Sequence, residues 1–460
     1  MRNPVVMLCR LPCLSYFLVC LAAAGIAAAS AQERQQLIIL TSFPDSVYEP
    51  FKRAFEKINP DIVLFILNRK TSSAISYIQD GAGHQVDLFW ASAPDAFEIL
   101  KQSGKLQNLQ MAGRGQHANI LGFPINDPDG FYVGFAISGY GIMWNSSYLT
   151  ARKLPEPASW SDLRRAIYAN HIGISAPSRS GTTHLIVEII LQSEGWRKGW
   201  QTLLEIGGNL ATVTARSYGV PSGVEQGHFG VGLVIDFFGL RSRARGHRVR
   251  FRYPNETMML PANIAMIEGA KNPAAARRFI QFLLSDEGQR ILFDPAISRL
   301  PVMPQIYRDA PQGFPNPFRI KARPGARLFD ITTSRKRYHL VNALFDQLIT
   351  FRLRELKDAW SLVHQAEELL RRRDAPKLRR ELARARALLQ TIPVSRSLAG
   401  DGRFSSLFTR HKPGYAVSAR QTALERAWRQ DASHRYDAAA QIAERTVEQL
   451  RQRITSRPPQ

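Results

Sequence analysis

Hydroxyl side chains and an arginine crowd the segment SAPSRSGTTH, from Ser175 to His184, directly before a helical pattern. The unpaired backbone amides and positive dipole end of a helix start favour negative charge. Arginine adds a forked contact for phosphate or carboxylate. The segment therefore predicts an anion-binding loop, although an ordinary N-cap explains the same hydroxyls, since Ser and Thr are common caps. The candidate binding residues in it are Ser178, Arg179, Ser180, Gly181, Thr182 and Thr183.

Three earlier loops carry the same kind of residue. Each follows a predicted strand, Leu37 to Leu40, Ile62 to Leu67 or Val86 to Trp90. Open α/β sheets bind ligands at such strand ends, so three hydroxyl-rich loops in succession predict one shared site. Its candidate residues are Thr41, Ser42, Thr71, Ser72, Ser73 and Ser92.

A further strand, Val231 to Ile235, ends at Asp236. This carboxylate either accepts hydrogen bonds from ligand hydroxyls or caps the following turn, and the sequence leaves both open. Ser217 and Tyr218, in a turn ahead of that strand, are further candidates for ligand contact.

Strand and helix signals alternate from Leu37 to Phe329, which predicts an α/β fold. The apolar, glycine-rich run from Gly134 to Trp144 suits either a crossing between two lobes or a core strand with a bulge. From about Ser334 the pattern becomes helical and basic, with predicted helices at 334–373, 375–390 and 418–454. Ser418 and Gln421 have the spacing of a capping box. The helices either form a bundle that packs on itself or on the lobes, or dock to a membrane partner.

The first 31 residues have the pattern of a cleavable signal peptide, with an apolar run that ends in Ala29-Ser30-Ala31. All three cysteines, Cys9, Cys13 and Cys20, lie within it. We therefore expect an exported chain without disulfides or thiolate metal sites.

The chain carries 61 Lys and Arg against 38 Asp and Glu, a net charge of +23. Residues 321–460 hold 29 of the basic and 14 of the acidic residues, so +15 of that charge lies in the last third. For an exported protein this charge indicates contact with an anionic membrane surface, an acidic partner or plain solvation, and no nucleic acid.

The sequence has no G-x-S-x-G, H-E-x-x-H or G-x-x-x-x-G-K-[ST] motif, so the common hydrolase, zinc and nucleotide signatures are missing. His184 and Glu188 lie four residues apart on a predicted helix, but a core or surface pair explains that spacing better than a metal site. We expect no enzymatic activity and no cofactor.

Several long segments resemble the periplasmic solute-binding proteins of bacterial ABC transporters. They are SAPSRSGTTHLIVEIILQSEGW, GVPSGVEQGHFGVGLVIDFFGL, PANIAMI and AAARRFIQFLLSDEGQRILFDPAISRLPV. The resemblance spans Gln35 to Phe318 and is strongest to the phosphoglycerate transport regulatory branch of the iron(III) and organophosphate-binding group. It implies a type II-like clamp of two α/β lobes that close over a solute. The helical extension lies beyond the common pattern.

Carried onto this chain, the resemblance implies lobe 1 at about 35–134 and 262–300 and lobe 2 at about 135–261 and 301–320. A linker at 321–333 and the extension at 334–460 follow. The candidate residues named above would line the cleft, with Arg179 compensating an anionic charge and Asp236 reading a ligand hydroxyl.

Within this group the ligand is an anionic metabolite or iron(III). Ferric sites of the family use paired tyrosines, whereas this chain offers Tyr218 beside Ser217, and a hard cation needs several anionic oxygens. That favours a phosphorylated or other anionic metabolite, presented by a periplasmic protein to an inner-membrane ABC permease. The alternative output is a signalling adaptor that docks to a membrane sensor kinase through its helical extension.

Overall fold

The computed structural model describes residues 34–81, 85–109, 118–255, 257–319, 329–371, 373–408 and 418–455. The predicted signal peptide, residues 1–31, lies outside them, as does most of the predicted linker, residues 321–333. Within the described ranges, no helix is both long enough and apolar enough to cross a bilayer.

Strands and helices alternate over the described residues between Gln35 and Pro301, which confirms the predicted α/β fold. The strands are β1 Gln35–Thr41, β2 Ile62–Asn68, β3 Leu88–Ala91, β4 Asn119–Ile120, β5 Phe123–Pro124, β6 Tyr132–Asn145, β7 Ile172–Ser175, β8 Leu210–Thr214, β9 Val231–Ile235, β10 Val249–Arg252, β11 Met259–Met266 and β12 Leu300–Pro301. The helices are α1 Asp45–Ile58, α2 Thr71–Gln79, α3 Pro94–Gln102, α4 Ser146–Ala151, α5 Gly181–Glu194, α6 Trp196–Gly208, α7 Gly219–Glu225, α8 Asp236–Ala244, α9 Pro273–Leu283 and α10 Asp286–Ile291.

One strand, β6, runs through both halves of the sheet, whose order is β2-β1-β3-β11-β6-β9-β7-β8. Up to Gly139 it pairs with β11, and from Tyr140 onward it pairs with β9. We call the half with β1, β2, β3 and β11 lobe 1, and the half with β7, β8, β9 and β10 lobe 2. The strand runs Tyr132–Asn145 and is buried almost throughout, so it joins the lobes as a core element.

The core of lobe 1 fixes the loop that follows β1. Phe43 packs edge-on against Trp90 and Phe135, with ring centroids 5.3 and 5.8 Å apart. All three aromatic side chains are buried. Because such pairs are directional, the neighbouring Ser42 is held at the carboxyl end of the sheet.

The helical extension consists of α11 Ile331–Leu348, α12 Leu353–Leu370, α13 Pro376–Leu389, α14 Arg396–Gly400, α15 Gly402–Ser406 and α16 Ala419–Thr455. The single helix predicted over 334–373 is therefore wrong, since a 3₁₀ turn at Thr350–Arg352 divides it. The β-branched pair Ile349-Thr350 weakens helix propensity at the break. Ser418 accepts a hydrogen bond from the Gln421 amide at 3.1 Å, as the capping pattern predicts.

The extension packs on lobe 2 through α6. A Cβ at Gly208 would lie 2.3 Å from Cδ1 of Trp360, and one at Gly207 would lie 2.8 Å from Leu356. The indole nitrogen of Trp196 donates to the carbonyl of Val394 at 2.8 Å. The extension and lobe 2 therefore share a continuous apolar core.

Candidate functional site

A cleft lies between the lobes where the carboxyl ends of β1 and β3 face the start of α5. It is narrow, with a cavity volume of about 30 Å³. The residues that line it are Ser42, Phe43, Pro44, Lys70, Thr71, Ser92, Arg179, Ser180, Gly181, Thr182, Arg216, Ser217, Tyr218, Phe237, Phe238 and Arg299.

Loops from distant parts of the chain meet at this cleft, as the sequence predicts. The lining residues that we named from the sequence are Ser42, Thr71, Ser92, Arg179, Ser180, Gly181, Thr182, Ser217 and Tyr218. Ser180 is the N-cap of α5, and its Oγ accepts the Thr183 amide at 3.1 Å. A helix start with its free amides therefore faces the cleft.

The other candidates lie outside the lining set, and several are engaged within the protein. Thr41 donates its hydroxyl to the carbonyl of Trp90 at 2.7 Å and accepts the Phe43 amide at 3.1 Å. The hydroxyl of Thr183 hydrogen-bonds to Ser175. These two side chains make hydrogen bonds within the protein, so their contribution to the cleft is to position the neighbouring residues that line it.

Two more candidates join the lobes. Ser72 donates its hydroxyl to the backbone carbonyl of Ser178 at 3.0 Å. Ser73, next to it, is exposed. A Cβ at Gly181 of lobe 2 would lie 2.8 Å from the Cβ of Ala93 in lobe 1. The lobes are thus in close contact along one side of the cleft, where the glycine permits the approach.

Asp236 is buried and is bound by three donors of its own chain. Its carboxylate accepts the amides of Gly139 at 2.7 Å and Phe237 at 2.8 Å, and the hydroxyl of Tyr253 at 2.9 Å. Burial raises the pKa of Asp236 to about 6, although these donors and Arg299 oppose the shift. The carboxylate thus connects the first turn of α8, through Phe237, to β6, through Gly139.

Sequence reasoning missed several lining residues, which are Phe43, Pro44, Lys70, Arg216, Phe237, Phe238 and Arg299. Arg299 is the most buried cation among them. Its side chain is 1% exposed and lies between the rings of Phe43 and Phe237, with its guanidinium carbon 4.4 and 3.8 Å from their centroids. Its Nε and Nη1 atoms have no hydrogen-bond partner. Burial lowers the pKa of Arg299 to about 9, although Asp236 opposes the shift. The one signal in the sequence is a lone arginine in the apolar run AISRLPV.

The electrostatic character of the cleft is uniformly positive. Its cationic lining residues are Lys70, Arg179, Arg216 and Arg299, and none of the described lining residues is Asp or Glu. Buried guanidinium donors without partners are costly to maintain, so the site is complementary to an anion with several oxygen acceptors.

A metal ion finds little support among the described side chains, where no group of three or more His, Cys, Asp or Glu could hold one. Tyr218 lines the cleft but is 46% exposed, and the guanidinium of Arg216 lies 5.2 Å from its ring centroid. The positive charge of Arg216 would repel a trivalent cation held at this ring.

Comparison with known proteins adds the family context. The family model of bacterial extracellular solute-binding proteins matches residues 85–322. The phosphoglycerate transport regulatory protein PgtC of Salmonella typhimurium is 33% identical over 374 residues, which cover 81% of this chain and 90% of that protein. Since the aligned part is longer than everything before the extension, the similarity to PgtC reaches into the extension.

Solved structures share the two-lobed architecture. The periplasmic binding protein AfuA from Actinobacillus pleuropneumoniae, determined with fructose-6-phosphate bound, has a TM-score of 0.60 and 17% identity, and the match covers 69% of this chain and 99% of that one. The apo ferric ion-binding protein A of Pasteurella haemolytica has a TM-score of 0.55 and 13% identity, with 69% and 98% covered. These likenesses confirm a two-lobed fold and leave about a third of this chain unmatched.

Proposed function

This chain belongs to the bacterial extracellular solute-binding protein family, and on that basis we propose that its cleft captures a phosphorylated or otherwise anionic small metabolite. Closure of the lobes over the ligand would create the form that a membrane partner recognises. The proposed partners are an inner-membrane ABC permease and a membrane sensor. The site of action is the periplasm, and the role is binding without catalysis.

The unpaired guanidinium of Arg299 is the observation that carries this proposal. Arg299 lines the cleft, and its Nε and Nη1 atoms are buried without a partner, so they remain costly until an acceptor arrives. A phosphate or carboxylate supplies two acceptor oxygens in the fork geometry that arginine matches. The flanking rings of Phe43 and Phe237 fix the guanidinium plane.

Neutral donors around the cleft support the same ligand class. The hydroxyls of Ser42, Thr71 and Ser180 and the amides at the start of α5 suit an oxyanion whose remaining oxygens need hydrogen bonds. The names of two similar proteins agree with this chemistry, since one is named as a phosphoglycerate transport regulatory protein and the other was solved with fructose-6-phosphate.

Iron(III) is the competing ligand because ferric-binding proteins share the fold. Among the described residues that line the cleft there are one tyrosine, four cations and no carboxylate. A trivalent hard cation requires anionic oxygen ligands, so the donor set favours the metabolite.

Titration calorimetry on the purified chain tests the proposal, with 3-phosphoglycerate, phosphoenolpyruvate, fructose 6-phosphate, citrate and ferric ion as separate probes. We expect binding of a phosphorylated probe, at least tenfold weaker in Arg299→Met. Arg53→Met, on the exposed face of α1, is the matched control and should bind as the parent does. Binding of ferric ion alone, lost in Tyr218→Phe, would refute the proposal.

A further inference from the structure

Helix α11 of the extension contacts both lobes at one buried polar cluster. The hydroxyl of Ser334 donates to Oδ2 of Asp95 in lobe 1 at 3.1 Å. On the lobe 2 side, Asn342 Oδ1 lies 2.8 Å from Nδ1 of His184. Arg337 donates two hydrogen bonds to Glu188, at 2.9 and 2.7 Å. We call the set of Asp95, His184, Glu188, Ser334, Arg337 and Asn342 the junction.

The lobes also contact each other within the junction. Nε2 of His184 lies 3.1 Å from Oδ2 of Asp95, and neither side chain is exposed. The other carboxylate oxygen, Oδ1 of Asp95, is buried without a partner. The hydrogen-bond and ion-pair partners seen for this carboxylate thus come from lobe 2 and the extension. If the lobes moved apart, the buried carboxylate of Asp95 would lose its partner in lobe 2, which is energetically costly.

The junction lies directly behind the cleft wall. Ser92 lines the cleft, and Asp95 follows three residues later in the first turn of α3. Thr182 also lines the cleft, and His184 follows two residues later in the first turn of α5. A rigid rotation that opens the cleft therefore separates Asp95 from His184, because each is fixed to a wall of the cleft by its own helix.

A second three-way contact lies nearby. The backbone carbonyl of Ser178 accepts the hydroxyl of Ser72 from lobe 1. Burial raises the pKa of Asp346 of α11, and the nearby side chain of Ser178 opposes that shift. Lobe 1, lobe 2 and the extension thus meet twice along α11.

The rest of the extension is anchored to lobe 2. Arg386 of α13 donates to the buried carboxylate of Glu205 at 2.9 Å, and α12 packs on Gly208 through Trp360. Because these anchors belong to lobe 2, the Ser334 contact with lobe 1 can break while the extension stays attached.

We propose that α11 straps the two lobes together, so that opening of the cleft and release of α11 from lobe 1 are a single event. This proposal rests on the proposed function, since a ligand that holds the cleft closed would also keep α11 in contact with lobe 1. By reciprocity, a docked α11 raises ligand affinity. The extension thereby converts occupancy of the cleft into a change at its own contact with lobe 1.

Two measurements on the full chain test the strap. In calorimetry with the phosphorylated probe, Ser334→Ala should lower affinity about fivefold or more, within the usual range of allosteric coupling. Thr332→Ala, exposed on the same helix, should bind as the parent does. In hydrogen exchange, ligand should protect the amides of α3 and α11 together, whereas α13 should be unchanged. Parent-like affinity in Ser334→Ala, or an α11 insensitive to ligand, would overturn the inference.

A ligand-free arm separates this inference from the proposed function. Ser334→Glu places a second carboxylate beside Asp95. Repulsion between the two should speed amide hydrogen exchange in both α3 and α11, relative to the control Thr332→Glu. If the parent binds none of the probes, the proposed function fails, yet faster exchange in both helices would still support the strap. Faster exchange in α11 alone, or in neither helix, would overturn the strap whatever the calorimetry shows.

Discussion

The carboxylate of Asp95 in lobe 1 lies 3.1 Å from Nε2 of His184 in lobe 2, and both side chains are fully buried. The pair joins the lobes beneath the cleft and is sealed by the ring of Tyr338, whose centroid is 4.1 Å from that of His184. The protonation state of this pair therefore affects the stability of the contact between the lobes.

Stability should depend on pH through this pair. Burial lowers the pKa of His184, but Asp95 and Glu188 reverse that effect and raise it above the ordinary 6.5 overall. Because the folded state holds the proton more tightly, the gain in stability is complete below pH 6.5 and is lost as pH rises through the raised value. We expect the Tm of the parent to fall over that range, and Asp95→Asn to give a flatter profile. Parallel profiles would show that the pair carries no proton-linked stability.

Removal of the unpaired cleft charge should stabilise the protein while it destroys binding. Arg299→Met replaces a buried guanidinium with an apolar side chain of similar length among Phe43 and Phe237. Without ligand, we expect the free energy of unfolding to rise by about 1–3 kcal/mol. Thermal unfolding with and without 3-phosphoglycerate measures both effects. A variant less stable than the parent would mean that Arg299 has a partner in solution.

Closure should depend on the glycine between the lobes. Gly181→Val adds a side chain where even a Cβ would lie 2.8 Å from Ala93 and 3.0 Å from the hydroxyl of Thr71. We expect the lobes to be held apart and ligand affinity to fall at least tenfold, because the hydroxyls of the two walls can no longer reach one ligand. Calorimetry measures the affinity. Gly402→Val, where nothing lies within 4 Å of the added Cβ, is the control and should bind as the parent does.

Attachment of the extension should depend on a second close approach. Gly208→Ala places a methyl group 2.3 Å from Cδ1 of Trp360, and overpacking of this kind costs about 1–3 kcal/mol. Denaturant unfolding measures the cost. Gly400→Ala, in a helix of the extension and with open space around the added Cβ, should be neutral or slightly stabilising. Equal stability of the two variants would show that α6 and α12 can separate without loss.

Local signals in the sequence predicted much of the cleft. Hydroxyls next to a helix start indicated an N-cap or an anion-binding loop, and the structure places the N-cap at Ser180. Strand ends with small residues predicted that Ser42, Thr71 and Ser92 would share a site. These signals work because capping and strand termination act over a few residues, which a single sequence displays directly.

The roles of individual side chains depended on contacts that the sequence does not display. Thr41 and Thr183 carry the predicted hydroxyls but turn them inward, to Trp90 and Ser175. The sequence leaves Asp236 as either a ligand contact or a cap. In the fold its carboxylate accepts hydrogen bonds from three donors of the protein, including Tyr253. Whether a hydroxyl faces ligand or protein depends on its rotamer and neighbours, which periodicity does not encode.

By itself the sequence determined the α/β class, the family, the hydroxyl loops and a basic helical extension, because each follows from local pattern or from long matching segments. Only the tertiary structure decided that Arg299 reaches the cleft unpaired and that Ser334 meets Asp95, 239 residues away along the chain. Such contacts form when separate elements pack into one core, and their partners are chosen by three-dimensional fit rather than by any spacing along the chain.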